Sequence, residues 1–415
     1  MPYSILSLDG GGSWALIQAK VLYERYAKTN PQIAGHEVLR HYDLVIANSG
    51  GSLVLSMLCA DMKLRDIVDL FNDTAILKSI FKKKLTAFIP FAKDFFPNYH
   101  TANKYEVFKQ HLKNDKGDFG NMLLSDLPTK IGKLSLNIII TGFDYDSQRA
   151  TYFRSNKDSK MDSTYIKNDV NKTNDPGSFT TVTLAQAVHA SSNAPVMFFD
   201  EPAQFPVTTN GVRTVKNRLY WDGAVGGNNN PVKSGLLEAM ANDIDIKDIR
   251  IVSIGTSSTI TPVLYGEANE PTSDLDFLIR KSKVNSFGSD VKEMATSILS
   301  DPPDAATFDA HVIMNLPNDK GNPKLIRINP LVKPLLKDNK FVMPGNNWST
   351  KDMKTLFNLD MAVATPEGIN LINTLCKDFF LDLFDNQGIR IGGASRTAIL
   401  GHQYYSQAMN DWNTW

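Results

Sequence analysis

The stretch LVIANSGGSLVLSML, residues 44–58, runs from an apolar segment as long as a buried strand, through a turn of small residues, into an apolar segment as long as a helix. A strand that breaks this sharply into a helix forces the residue at the bend into strained backbone geometry. Only small neighbours two positions to either side accommodate that bend, and here they are Ala47 and Gly51. The bend lifts the Ser49 side chain clear of the sheet and sets it at the positive end of the following helix, where developing negative charge is stabilised. A serine nucleophile is presented in this way. Tight strand-to-helix packing alone would use the same small residues, and A-x-S-x-G is weaker than a pattern opening on glycine because alanine carries a Cβ. On this motif alone both readings stay open.

Residues 3–8 (YSILSL) read as a second buried strand, followed by the turn DGGG and a helical pattern over 14–27. Two β-to-helix units within the first 60 residues imply a parallel sheet covered on both faces. Further strands are expected at 134–143, 150–155, 218–223, 249–256 and 323–330, and helices at 183–191, 231–242, 351–359 and 366–380. The polar, aperiodic residues 156–180 read as a surface excursion, and 257–310 as an insertion packed on the sheet. Residues 1–330 are expected to form the main domain, and 331–415 a helical C-terminal layer docked on it.

In DGGG, Asp9 to Gly12, successive glycine amides at a strand-to-helix turn form an anion-binding concavity. A phosphate cradle would continue into Gly-Lys-Ser/Thr or the spaced glycines of a dinucleotide site, and DGGGSWALIQ does neither. An oxyanion hole needs only the amides. A glycine turn required for positive φ is the plain alternative. In LYWDGAVGGNNNP an apolar strand delivers Asp222 to a glycine-rich turn, where its carboxylate can serve as a general base or cap an Asx turn. Asn230 and Pro231 fit the cap and first position of the next helix.

Lys plus Arg total 44 and Asp plus Glu total 44, so no global field argues for a nucleic-acid partner. The two cysteines, Cys59 and Cys376, form no metal-spaced cluster, which fits a reducing compartment and no metal site. The N-terminus has no signal-peptide pattern and no run of about 18 apolar residues occurs, so a cytoplasmic protein is expected.

Taken together, a DGGG loop, a serine bend about 40 residues later and a distant aspartate in a DGG/DGA turn resemble the patatin-like phospholipase family. The likeness continues through ITGFDYDSQRATYFRSN, LAQAVHASSNAPVMFF, IVSIGTSS and KLIRINP, and covers about residues 3–330. The resemblance implies a three-layer α/β/α fold with a mainly parallel central sheet. It also implies a dyad in which Ser49 attacks a fatty acyl ester and Asp222 activates it, with the amides of Gly10, Gly11, Gly12 and Gly50 holding the oxyanion. Asp9, Ala47, Gly51, Gly223 and Ala224 support these motifs. The implied substrates are phospholipids or other fatty acyl esters, with no cofactor and no metal required. Three positions depart from the family pattern. Trp14 and Ala15 stand where members carry the arginine and last glycine of DGGG-x-R-G, Ala47 stands for glycine, and DGAVGGNNNP is one residue longer than usual. These departures leave room for an alternative, a lipid- or nucleotide-binding regulatory protein that kept the fold and lost turnover, or a phosphate-binding protein using the glycine loop.

A Ser/His/Asp triad is the rival mechanism, and His189 its best histidine, although it occupies a place where family members carry arginine. His36 and His41 read as surface residues, and Cys59 as packing. Residues 75–96 combine lysines with apolar bulk. Lys82, Lys83, Lys84, Phe88 and Phe91 are candidate contacts to a peripheral membrane surface, against the alternative of an ordinary amphipathic helix. The sequence does not fix an oligomeric state.

Overall fold

The computed structural model describes residues 2–84, 97–102, 104–156, 159–161, 182–195, 198–209, 213–259, 305–318, 320–333, 335–337, 340–345, 348–392 and 398–415. Its centre is an eight-stranded sheet built from β1 (Tyr3–Leu8), β2 (Leu44–Ala47), β3 (Asn137–Asp144), β4 (Arg149–Arg154), β5 (Ala203–Thr209), β6 (Arg213–Asp222), β7 (Ile249–Ile254) and β8 (Leu325–Ile328). The order is β8-β7-β1-β2-β3-β6-β5, with β4 also paired to β3. The pairs from β8 to β3 are parallel, and those of β6, β5 and β4 antiparallel. The helices that matter here are α1 (Leu16–Leu22), α2 (Ser49–Cys59), α3 (Leu64–Asn72), α4 (Thr74–Ile80), α5 (Lys104–His111), α6 (Leu184–Ser191), α7 (Val232–Ala241), α8 (Ala305–Ile313), α9 (Thr350–Phe357), α10 (Pro366–Phe380) and α11 (Tyr405–Asn413).

The period-two alternation of the strands divides the core in two. Leu6, Leu8, Val45, Ala47, Ile138, Ile140, Val252 and Ile254 face one side, where α1, α2, α6 and the C-terminal helices α9 to α11 contribute to one apolar cluster. Ile5, Leu44, Ile46, Ile139, Ile249 and Ile251 face the other, under α7 and α8. The result is the expected three-layer sandwich, and its parallel strands are mostly apolar because both faces are covered.

One detail of register positions the site. β4 occupies one edge of β3, so β2 and β6 share the other: Ala47 ends β2 opposite Ile140, and Asp222 ends β6 opposite Gly142. Running in opposite senses along one edge, the two strands meet at their C-terminal ends. Residues 48 and 222, far apart in sequence, therefore become neighbours.

Residues 331–415 hold more than helices. Leu331–Val332 pairs with Ser258–Thr259, and short antiparallel pairs form at 335–337 with 340–342 and at 390–391 with 398–400. Most of the expected insertion, residues 260–304, and the centre of the polar excursion, 162–181, lie outside the described residues. Asn230 does hold the start of α7, its Oδ1 accepting from the Val232 amide (3.2 Å), but Pro231 is the flanking residue and not the first helical one. His36, expected at the surface, is buried and donates from Nε2 to the Cys59 carbonyl (2.8 Å); His41 is exposed. Cys59 and Cys376 are free, buried thiols.

Candidate active site

Ser49 is the first residue of α2 and has φ of 45°, a left-handed backbone that a non-glycine residue adopts only when its surroundings impose it. The surroundings are visible. A Cβ at Gly51 would stand 2.5 Å from the Leu8 carbonyl oxygen, so only glycine lets the bend close against β1. The Ser49 amide donates to Ser191 Oγ on α6 (2.9 Å) and the Gly51 amide to the Asp9 carbonyl (3.1 Å). The Gly50 amide belongs to the first turn of α2, where N–H groups lack an intrahelical acceptor.

The glycine loop lies beside this bend. Gly12 has φ of 58° and packs so closely on the Met361 carbonyl that a Cβ would stand 2.3 Å from it. Gly11 and Gly12 open a short 3-10 turn, Gly12–Ala15, so their amides also precede the first intrahelical bonds. Gly10 is different. Its amide, expected among the oxyanion donors, is committed to the Asn229 carbonyl (2.8 Å), and its own carbonyl accepts from Thr256 Oγ1 (2.5 Å). Gly10 pins the loop, and Gly11 lines the cavity beside Ser49. Beneath the loop, Asp9 is ion-paired with Arg327 Nη2 (2.5 Å), and Arg327 Nη1 donates to Ser253 Oγ (2.7 Å), both charged groups being buried.

Asp222 is 2% exposed at the end of β6. Its Oδ1 accepts from the Ala224 amide (2.9 Å) and from Asn48 Nδ2 (2.9 Å), and its amide donates to the Asn193 carbonyl (3.0 Å). Asn48 is itself held by Thr141 Oγ1, which donates to its Oδ1 (2.6 Å). Ser49 lines the same cavity as this carboxylate, and its hydroxyl is near enough to favour the ionised form. The Asx-turn reading of Asp222 holds, and the carboxylate that caps this turn also lines the cavity. Burial pushes this carboxyl above its usual value, and the Ala224 amide, the nearby Ser49 hydroxyl, Asn48 and the charge of Lys104 pull partly back. A Cβ at Gly223 would stand 2.4 Å from both Asn48 Oδ1 and Thr141 Oγ1.

Ser49 and Asp222 open on a cavity of about 430 Å3, a size usual for small-molecule sites. Gly10, Gly11, Asn229 and Thr256 to Ser258 form its polar side. Trp14, Ala194, Phe198, Leu356, Phe357, Leu359 and Met361 form its apolar side. Trp14, standing where the resemblance puts arginine, is part of that apolar wall, and its Nε1 donates to the Asp360 carbonyl (3.1 Å).

His189 is buried on α6 and faces Tyr105, with ring centroids 5.7 Å apart. Its Nδ1 meets no hydrogen-bond partner, so no carboxylate orients it as a triad would require. Burial and Lys104 together hold its pKa well below the usual histidine value. Of the lysines proposed for a membrane contact, Lys84 turns inward to Asp200 (3.0 Å), while Lys82 and Lys83 are exposed. Phe88 and Phe91 lie outside the described residues. Among the described residues no cluster of His, Cys, Asp and Glu could hold a metal ion, and no helix is long and apolar enough to cross a membrane.

Asn48, Thr141, Ser191, Asn193 and Arg327 lie within the segments quoted above without being singled out there, and Lys104 lies outside them.

Comparison with known proteins agrees with this arrangement at the level of family. No curated protein sequence matches the chain. Among solved structures, VipD from Legionella pneumophila is similar over 91% of this chain and 67% of its own, at 13% identity and a TM-score of 0.32. The type III effector protein ExoU is similar over 46% of this chain and 40% of its own, at 15% identity and a TM-score of 0.23. Likenesses this distant carry no argument about activity. The sequence profile of the patatin-like phospholipases, by contrast, matches residues 6–236, more than half of the chain and a span that includes the glycine loop, the serine bend and Asp222. The chain belongs to the patatin-like phospholipase family.

Proposed function

We propose that the protein is a serine lipid acyl hydrolase, of phospholipase A or lysophospholipase type, working through Ser49 and Asp222. The observation that carries this reading is that Ser49, at a left-handed bend, and the buried carboxylate of Asp222 line one half-apolar cavity beside the glycine loop. Asp222 takes the hydroxyl proton as Ser49 Oγ attacks the ester carbonyl. The amides of Gly11, Gly12 and Gly50 stabilise the oxyanion, each such donor contributing about 3 to 4 kcal/mol in comparable sites. The proton passes to the departing alcohol, and a water activated by the same carboxylate then releases the fatty acid. Trp14, Phe198, Leu356 and Phe357 receive the acyl chain; the Thr256 to Ser258 side receives the polar part.

Vesicles of mixed phospholipids test the reading. Released free fatty acid, with the headgroup phosphate still attached to glycerol, is the expected product. Headgroup release, or no release with any lipid or soluble acyl ester, would contradict it and leave a binding protein on the patatin-like fold.

Exposed Lys82 and Lys83 extend the proposal to a peripheral membrane contact. Their joint replacement by glutamine should weaken binding to anionic vesicles by about 2 kcal/mol, roughly 1 per lysine, without changing hydrolysis of a short soluble ester. Unchanged vesicle binding removes this contact from the account.

A further inference from the structure

Lys104, the first residue of α5, is fully buried, and neither the glycine loop nor the serine bend uses it. Its Nζ donates to the Ser192 carbonyl (2.8 Å) and to Asn193 Oδ1 (2.9 Å), and lies 3.9 Å from the centre of the Phe199 ring. An ammonium has three N–H donors and no acceptor. Two oxygens and one aromatic face provide for all three, whereas a neutral amine would carry a lone pair facing no donor. Asn193 is also the residue whose carbonyl accepts the Asp222 amide (3.0 Å), and its Nδ2 donates to the Glu201 carbonyl (2.7 Å).

Resting on the Ser49 and Asp222 reading, we propose that Lys104 is a positioning residue for the reaction. It is a buried ammonium that fixes the Ser192–Asn193 turn against Asp222 and supplies the counter-charge to that carboxylate. The groups around it make this specific. Asp222 on β6 is the acid coupled to Lys104, and His189 on α6 is the base coupled to it. Other charged groups on neighbouring elements are turned away or engaged: Lys78 on α4 and Lys113 are exposed, and Asp200 is bound to Lys84. Burial lowers the Lys104 pKa and the charge of Asp222 raises it, so each member of the pair favours the charged form of the other.

The test is the pH dependence of kcat/KM for a soluble acyl ester, in wild type, Lys104→Met and Phe199→Leu, together with a carbon-13 carboxyl titration of Asp222 assigned through Asp222→Asn. Lys104→Met should move the acid limb, and the Asp222 midpoint, to higher pH, because the positive charge that favours the ionised carboxylate is gone. Phe199→Leu keeps the lysine and removes the ring over it, and should move both in the same direction by less. If Lys104→Met does not fold, Phe199→Leu decides. An activity loss equal at every pH, with neither midpoint moved, would reduce Lys104 to a packing role and overturn the proposal. Absence of Ser49-dependent hydrolysis in wild type would instead refute the functional reading, and the carboxyl titration would still decide whether Lys104 and Asp222 are coupled.

Discussion

Ser49→Ala is expected to lower kcat for a soluble acyl ester by about 10⁴- to 10⁶-fold, and the double variant Ser49→Ala with Asp222→Asn to lower it no further. In a unit where one group takes the other's proton, removing the nucleophile leaves the base with nothing to do, so the effects do not add. Asp222→Asn alone should cost about 10² to 10⁴, the range of general base catalysis. Asparagine can still accept from the Ala224 amide and preserve the turn, so the loss is chemical and the fold should survive. The pH profile carries the sign of the same argument. Burial holds the Asp222 carboxyl above the usual 3.8, and the base works only when ionised. Activity should therefore be lost as pH falls through a midpoint above 3.8, before ordinary surface carboxylates titrate. Additive losses in the double variant, or a midpoint at or below the usual value, would separate the two residues.

The second large effect concerns stability. Arg327→Met leaves the Asp9 carboxylate buried without this counter-charge, and breaking a buried pair from one side typically costs about 3 to 5 kcal/mol. Because Asp9 opens the glycine loop, the loop should loosen and the donors at Gly11 and Gly12 lose their aim. Asp9→Asn added to Arg327→Met should recover part of the loss, since neutralising both partners removes the stranded charge. Urea titrations at unchanged m-value measure both changes. A loss below about 1 kcal/mol for Arg327→Met would mean that water reaches Asp9 and that the pair is not what holds the loop.

The parts of this architecture that depend on local sequence could be read from it. β1, β2 and β7 are short apolar runs bounded by turn residues, because parallel strands covered on both faces have no polar side. The bend at Ser49 and the turn at Asp222 are short-range features, set by small neighbours and by a carboxylate two residues from the amide it caps. β5 (AQFPVTT) was not foreseen: Pro206 and its mixed polarity hide a strand at the antiparallel edge of the sheet. α3 was also missed, although Leu64, Ile67, Val68 and Phe71 carry its helical spacing openly.

What convergence creates had no local signal. The meeting of β2 and β6 on one edge of β3 brings Asn48 to Asp222, and nothing in either segment announces the other. Lys104 opens a short helix, KYEVFKQH, in a stretch with no sequence motif, and its burial follows only from the docking of that helix on α6. Gly10 looks like Gly11 and Gly12 in sequence. It differs because Asn229, more than 200 residues away, takes its amide.

Labelling with a fluorophosphonate, followed by peptide mass mapping, addresses the nucleophile without reference to any substrate. The account predicts one adduct per chain on the peptide bearing Ser49, none in Ser49→Ala, and slower formation in Asp222→Asn. Wild-type protein that hydrolyses acyl esters yet stays unlabelled at Ser49, or that is labelled on another residue, would contradict it.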